Sequence, residues 1–286
     1  MDDPRDNLID NVPMVGEAGS TVEPGNAAND PTLYGHVRIE GAERVETRSY
    51  QTFKLIYTLG RYGLDDTGAI RVAFRAMSDF GRLQMSDPTA PGYTTAKASN
   101  GCKLTLDYQA RGHNRPRFKS LTVHVGGGYM REGDTIEITF GDTSQGSPGM
   151  AMPTCVDPAF EFKLYADVVA TGHFVPVPGT PSVEVQPGPP TVWRAVLSSL
   201  RRPGESFIFG VKAEDKWGNP TELAEANLRF ETTLPVAGLP ATFAYERGNR
   251  SHTFEGLSCS QEGVLRIKVI DADTGDQLAE SHPMVI

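Results

Sequence analysis

Residues 70–76, IRVAFRA, alternate apolar and polar side chains and predict a β-strand with one buried face and one wet face. Ile70, Val72 and Phe74 fall on one face, and two arginines fall on the other. Successive side chains of a strand point to opposite faces of a sheet, so this pattern fits a sheet that packs on a core on one side only.

The same period of two recurs before and after this stretch. Runs of this kind are centred on Leu55, Leu106, Val123, Ile138 and Phe162. No convincing apolar stripe at the helical period of 3.6 residues appears over the first two thirds of the chain, and 30 glycines and 21 prolines supply turn formers. The sequence therefore predicts an all-β fold whose first domain, residues 33–187, is an antiparallel β-sandwich. Residues 79–93 have no clear period and are predicted to form a long surface excursion.

The proline-rich segment 186–190, QPGPP, predicts a domain boundary, because prolines interrupt strand pairing. Beyond it, alternating runs and turn signals predict about seven strands in about 95 residues, the size of an immunoglobulin-like β-sandwich. We assign this second domain to residues 188–286. The block VKAEDKWGNP at 211–220 looks like the strand and turn of bacterial immunoglobulin-like modules. Residues 1–32 lack a sustained period and are predicted to form an extended arm.

Composition limits the function classes. The formal net charge of −9 and the pI near 5.2 argue against broad binding to nucleic acid or to an anionic membrane. The first residues contain no apolar run of secretory type, so a cytoplasmic location is predicted. Three cysteines argue against a disulfide framework, although a single Cys102–Cys155 pair is left open.

Residues 141–155, GDTSQGSPGMAMPTC, form the loop with the greatest concentration of turn formers and polar side chains. They follow a predicted strand, and long loops after strands often carry binding residues. Asp142, Ser144 and Gln145 are therefore candidate binding residues. The more frequent alternative is an ordered loop whose side chains hydrogen-bond its own backbone.

A basic cluster lies at residues 111–119, RGHNRPRFK. If this segment were extended, its five basic side chains would share one face of a strand. Arg115 and Arg117 are then candidates for binding an anion or an acidic partner surface. The alternative, which we prefer, is a solvated strand edge that charge protects against aggregation.

The sequence contains none of the catalytic or metal-binding motifs that we sought. No two of the six histidines lie within four residues of each other, and no nucleotide loop or serine-hydrolase elbow is present. The acidic pairs 65–66 and 271/273 adjoin glycines and are interpreted as turn formers. We assign no catalytic residue, no metal ligand and no cofactor to this chain.

Three separated strings, SDFGR at 78–82, GDTSQGSPG at 141–149 and DKWGNP at 215–220, resemble an uncharacterised bacterial family. Its full-length members place such β-domains ahead of a PHP-like metal-dependent hydrolase domain. The resemblance covers about residues 34–286. It implies a divalent metal and a catalytic domain beyond Ile286, and no residue here matches that domain's metal motif, so no catalytic residue is carried over.

The resemblance implies that this chain is a non-catalytic region, either a scaffold or a surface that faces the substrate or partner of a metal-dependent hydrolase. Its expected partner is the catalytic domain, in the same chain or in another one, and a homo-oligomer is left open. One alternative is a stand-alone carbohydrate- or protein-binding module. Another is a small enzyme that uses Asp142, Ser144 or His113.

Overall fold

A computed structural model describes residues 31–286 and is almost entirely β-structure, with 47% of residues in strands. The helix α1 (Pro31–Tyr34) has four residues, and no helix of the described part of the chain is long and apolar enough to cross a membrane. Two compact units meet at the Gln186–Pro187 bond. The arm predicted at 1–32 lies outside the described residues, except that its last two residues begin α1.

The first unit is a β-sandwich. Its strands are β1 (His36–Glu40), β2 (Arg44–Glu46), β3 (Tyr50–Gln51), β4 (Phe53–Thr58), β5 (Ala69–Phe74), β6 (Thr94–Ala98), β7 (Lys103–Gln109), β8 (Lys119–Gly126), β9 (Thr135–Phe140), β10 (Met150–Ala151), β11 (Asp157–Glu161), β12 (Lys163–Asp167), β13 (Val175–Pro176) and β14 (Ser182–Gln186). A four-stranded sheet has the order β1-β4-β9-β6, and a five-stranded sheet has the order β13-β12-β5-β8-β7. Two smaller sheets, β11-β14-β2 and β10-β3, complete the unit.

The core of the first unit lies between its two large sheets. The predicted alternation is confirmed there, since Leu55 of β4, Ile138 of β9, Val72 of β5 and Val123 of β8 are all buried in one cluster. Phe74 contacts the rings of four other phenylalanines within 6 Å. Burial of these side chains is the main favourable contribution to the stability of this unit.

Two features of the first unit differ from the sequence-based expectations. The excursion at 79–93 is not wholly on the surface, because Phe80 and Leu83 are buried in the core. Its apolar residues are too few to show a period, so the pattern missed them. In addition, β2 pairs with β14 in parallel, whereas the other strand pairs described are antiparallel.

The second unit is a β-sandwich of the predicted size. Its strands are β15 (Val192–Leu197), β16 (Ser206–Glu214), β17 (Ala226–Thr232), β18 (Thr242–Tyr245), β19 (His252–Ser258), β20 (Val264–Leu265), β21 (Ile267–Asp271), β22 (Gln277–Glu280) and β23 (Met284–Val285). A sheet β15-β16-β19 and a sheet β18-β17-β21-β22 supply the seven main strands. Both sheets contribute to one core, for example through Phe209 and Val269.

A buried carboxylate organises the turn at 215–220. Asp215 is 2% exposed and accepts hydrogen bonds from the backbone nitrogens of Trp217 and Asn219, at 2.8 and 2.9 Å. It also accepts one from the Asn219 side-chain amide and one from the backbone nitrogen of Gly188. The turn is therefore held by its own acidic residue as well as by the positive φ of Gly218.

Candidate functional site

A groove of about 420 Å³ lies on the outer face of the four-stranded sheet of the first unit. Strands β4, β6 and β9 form its floor, and the start of the 141–155 loop forms a wall. Its lining residues are mostly hydroxylated or charged: Thr52, Lys54, Thr95, Ala96, Lys97, Glu137, Thr139, Asp142, Thr143 and Ser144. We call this feature the threonine groove.

Strand register explains why these side chains share the floor. Thr139 of β9 pairs with Thr95 of β6 on one side and with Lys54 of β4 on the other. Glu137, which precedes Thr139 by two residues on β9, pairs with Lys97 of β6. Because their neighbours along each strand point into the core, these polar residues all point outward.

Close backbone packing fixes the wall of the groove. The Asp142 nitrogen donates a hydrogen bond to the Tyr93 carbonyl at 2.8 Å. Gly141 has a φ of +66°, and a Cβ there would lie 2.2 Å from the Met150 nitrogen, so only glycine fits this position. The wall is thus preorganised by packing, which lowers the entropic cost of holding a ligand.

The Asp142 carboxylate joins the wall to the floor. It accepts hydrogen bonds from the Thr95 hydroxyl at 2.7 Å and from the Ser144 nitrogen at 2.9 Å. Partial burial alone would raise the pKa of Asp142, but the hydrogen bonds from Ser144 and Thr95 and the charge of Lys54 together hold that pKa below its ordinary value. The Asp142 carboxylate is therefore ionised, and both of its oxygens already accept hydrogen bonds.

The groove holds two lysines and two carboxylates, and one of the lysines is not part of an ion pair in the described part of the chain. Lys54 forms an ion pair with Glu137 at 3.1 Å. Among the residues that the structure describes, Lys97 has no ion-pair or hydrogen-bond partner, and it is exposed. Its ammonium group and the Thr139 and Thr143 hydroxyls are the donors left to meet a ligand.

The structure brings together only some of the candidate residues from the sequence. Asp142 and Ser144 line the threonine groove, whereas Gln145 is exposed and does not line it. Residues 111–119 form neither the single extended face nor the solvated strand edge that the sequence suggested. Strand β7 ends at Gln109 and β8 begins at Lys119, so most of the segment is a loop.

The two arginines of that loop have separate environments. Arg117 is largely buried and forms an ion pair with Glu161 at 2.8 Å. The Arg115 guanidinium lies 5.6 Å from the ring centre of Phe118. Neither residue lines the threonine groove. Arg117 therefore holds the loop to β11.

His113 lies on the outer face of the other sheet. Its ring is 4.7 Å from that of Tyr165, which belongs to a small apolar cluster separate from the main core. Burial, and to a smaller extent the charges of Arg71 and Arg117, together lower the pKa of His113 to about 4. Because Asp142 and Ser144 lie at the opposite sheet, the three residues of the enzyme alternative are not assembled into one site.

Three further observations concern the described residues. A larger groove of about 510 Å³ runs beside β2 and β14 and includes the Arg44–Glu184 ion pair, but none of the candidate residues lines it. All three cysteines are free thiols, so the Cys102–Cys155 pair is not formed. No group of three or more His, Cys, Asp or Glu side chains suited to a metal ion occurs within residues 31–286.

Comparison with known proteins gives only distant similarity. No family model matches the sequence, and neither does any curated protein. Among solved structures, the Yersinia pseudotuberculosis adhesin InvE shares 12% identity at a TM-score of 0.26, covering 87% of this chain and 58% of the adhesin chain. The red sea bream transglutaminase shares 11% identity at a TM-score of 0.24, covering 87% of this chain and 31% of the other.

Proposed function

We propose that this chain is a non-catalytic β-sandwich region of a metal-dependent hydrolase, and that the threonine groove binds an anionic group of the substrate or of the catalytic partner. The observation that carries the proposal is the exposed Lys97 ammonium group beside the unengaged Thr139 and Thr143 hydroxyls on a floor of paired strands. The hydrolase itself rests on the family resemblance. A cytoplasmic location and a catalytic domain in the same chain or in another one belong to the same proposal.

The donors in the groove suit an oxyanion. An ammonium group and hydroxyl groups can all donate to phosphate or carboxylate oxygens, and charge-assisted hydrogen bonds of this kind are the stronger ones. No aromatic residue lines the groove in the described part of the chain, so a sugar ring would find no stacking surface there. The carbohydrate-binding alternative therefore gains no support from this site.

Phosphate binding provides the direct test. Inorganic phosphate and a phosphomonoester are titrated into the protein at low salt, and chemical shifts of the groove amides are followed. Lys97→Ala should weaken binding by roughly tenfold or more, since it removes a charged hydrogen bond. Lys216→Ala, which removes an exposed lysine in the second unit, is the matched control and should change nothing. Equal affinities for the wild type and Lys97→Ala would refute a role for the groove in anion binding.

Two further measurements address the hydrolase part of the proposal. The purified 286-residue chain is assayed on a panel of phosphoesters with added divalent metals, and no turnover is expected. Clear turnover would overturn the non-catalytic assignment. The intact mass of the native protein then distinguishes the arrangements: a mass well above 31.0 kDa indicates a catalytic domain in the same chain, and a mass near it points to a separate subunit.

A further inference from the structure

The five-stranded sheet of the first unit ends in a long, regular edge strand, β7. All seven of its residues pair with β8 without a register shift, and its sequence, KLTLDYQ, contains neither proline nor glycine. Exposed edges of this kind present unpaired backbone groups to other chains, and native proteins usually shorten or interrupt them. β7 is therefore an unusual edge.

Two other edges in the same unit carry the usual interruptions, whereas the five-residue edges β1 and β6 of the four-stranded sheet do not. The opposite edge of the five-stranded sheet is β13, which has only two residues and contains Pro176. The edge strand β11 of the small sheet contains Pro158 and a register shift. Among the uninterrupted edges in the described part of this unit, β7 is the longest, with seven residues.

Hydrogen bonds of the neighbouring strand show which groups of β7 are free. The Val125 nitrogen donates to the Gly68 carbonyl at 2.9 Å, and the Val125 carbonyl accepts from the Thr67 nitrogen at 3.0 Å. Both backbone groups of Val125 thus face away from β7. Leu104 lies directly opposite Val125, and the two form a non-hydrogen-bonded pair of the antiparallel ladder. The N–H and C=O of Leu104 therefore point away from β8, towards the outer edge.

The same alternation makes Leu106 and Tyr108 equivalent to Leu104. Among the described residues, β8 is the only element whose backbone bonds to β7, so the outer edge has three N–H groups and three carbonyls without a backbone partner. The side chains of these three residues are also only half-buried, whereas Leu121 and Val123 of β8 are fully buried. A further strand would cover both the polar edge and the apolar row.

We propose that β7 pairs in antiparallel fashion with β7 of a second copy of this chain, about a two-fold axis at Thr105. In this register Lys103 of each copy lies directly opposite Asp107 of the other, because both positions are two residues from the axis. Leu104 and Leu106 of one copy bond to Leu106 and Leu104 of the other, which forms four backbone hydrogen bonds. The strand is thus complementary in charge to itself, as a two-fold interface requires.

Association is measured by light scattering and sedimentation over a wide concentration range, and the wild type should reach twice its mass of 31.0 kDa. Lys103→Glu and Asp107→Lys should each weaken the dimer at least fivefold, because like charges then face each other. The double variant Lys103→Glu/Asp107→Lys restores opposite charges and should restore the dimer. A wild type that stays monomeric, or a dimer that none of these changes affects, would overturn the proposal.

Disulfide trapping tests the register in a Cys102→Ser/Cys155→Ser background, which removes the two accessible native thiols. Thr105→Cys places two thiols at the axis, where opposed Cα atoms are about 4.5 Å apart and within reach of a disulfide. The control Gln109→Cys lies on the same exposed face of the same strand. Its two copies would be eight residues, or roughly 26 Å, apart along the strands. Rapid crosslinking of Thr105→Cys alone supports the pairing, and equal crosslinking of both variants contradicts it.

Discussion

Replacement of His113 by phenylalanine should remove a defined part of the acid sensitivity of the first unit. His113 is buried beside Tyr165, and its pKa is lowered to about 4 from an ordinary 6.5, first by burial and then by the charges of Arg71 and Arg117. Between these two values the unfolded chain binds a proton that the folded chain does not. The free energy of unfolding therefore has its full value above pH 6.5 and is lost as the pH falls towards 4.

The size of the effect follows from the two pKa values. A difference of about 2.5 units corresponds to about 3 kcal/mol when the whole window is crossed, and to about 2 kcal/mol between pH 7 and pH 5. His113→Phe should lose this component while keeping an aromatic ring against Tyr165. Acidic side chains whose pKa values are lowered in the fold, such as Glu161, add a similar acid loss to both proteins, so the quantity of interest is the difference between them.

Urea unfolding at several pH values between 5 and 7 provides the assay. Both tryptophans, Trp193 and Trp217, lie in the second unit, so their emission follows that unit alone. Circular dichroism follows both units, and the comparison isolates the first. His124→Gln, which removes an exposed histidine of the same unit, is the control and should retain the wild-type pH dependence. If the wild type and His113→Phe lose stability in parallel between pH 7 and 5, the argument is refuted.

Three substitutions test the packing described above. Asp215→Ala leaves several buried donors without their acceptor, so it should lower the free energy of unfolding of the second unit by about 2–4 kcal/mol. Tryptophan emission measures this loss. Asp273→Ala, in an exposed turn, is the control and should lower it much less. Gly141→Ala should destabilise the first unit by about 2–3 kcal/mol in thermal unfolding. Gly127→Ala, at a similar φ with open space around it, should cost about 1 kcal/mol, and equal costs would contradict the contact argument. Glu161→Gln weakens the ion pairs with two arginines and should lower the urea midpoint at pH 7 more than at pH 4.

The β-strand period allowed most of the core of the first unit to be predicted. Runs such as 53–59 carry an alternation that is a local property of the chain, and the residues of the predicted core face are buried, although Ile56 on the other face is buried too. Phe80 and Leu83 were missed because they lie in irregular backbone, where no period identifies the buried face. Asp215 was placed in a turn, but its burial depends on a contact with Gly188, 27 positions earlier.

The threonine groove could be predicted only in part. Asp142 and Ser144 were found because a polar, glycine-rich loop follows a clear strand. Lys97 and Thr95 were missed because β6 is short and poor in large apolar residues, so that it shows no strong pattern. Their proximity to Thr139 comes from the pairing of β6 with β9, which joins segments some 40 positions apart. Local sequence carries no signal for such a pairing.

The parallel pairing of β2 with β14 bears on the biosynthesis of the protein. Arg44 finds its partner Glu184 only 140 positions later, at the last residues before the second unit begins. At a synthesis rate of roughly 5–20 residues per second, the ribosome needs about 7–28 s to make the intervening chain. Until then β2 has no partner strand and the small sheet is incomplete. The first unit on the ribosome therefore exposes the unpaired edge of β2, to which a chaperone would bind. A rare codon between residues 44 and 184 would prolong that interval.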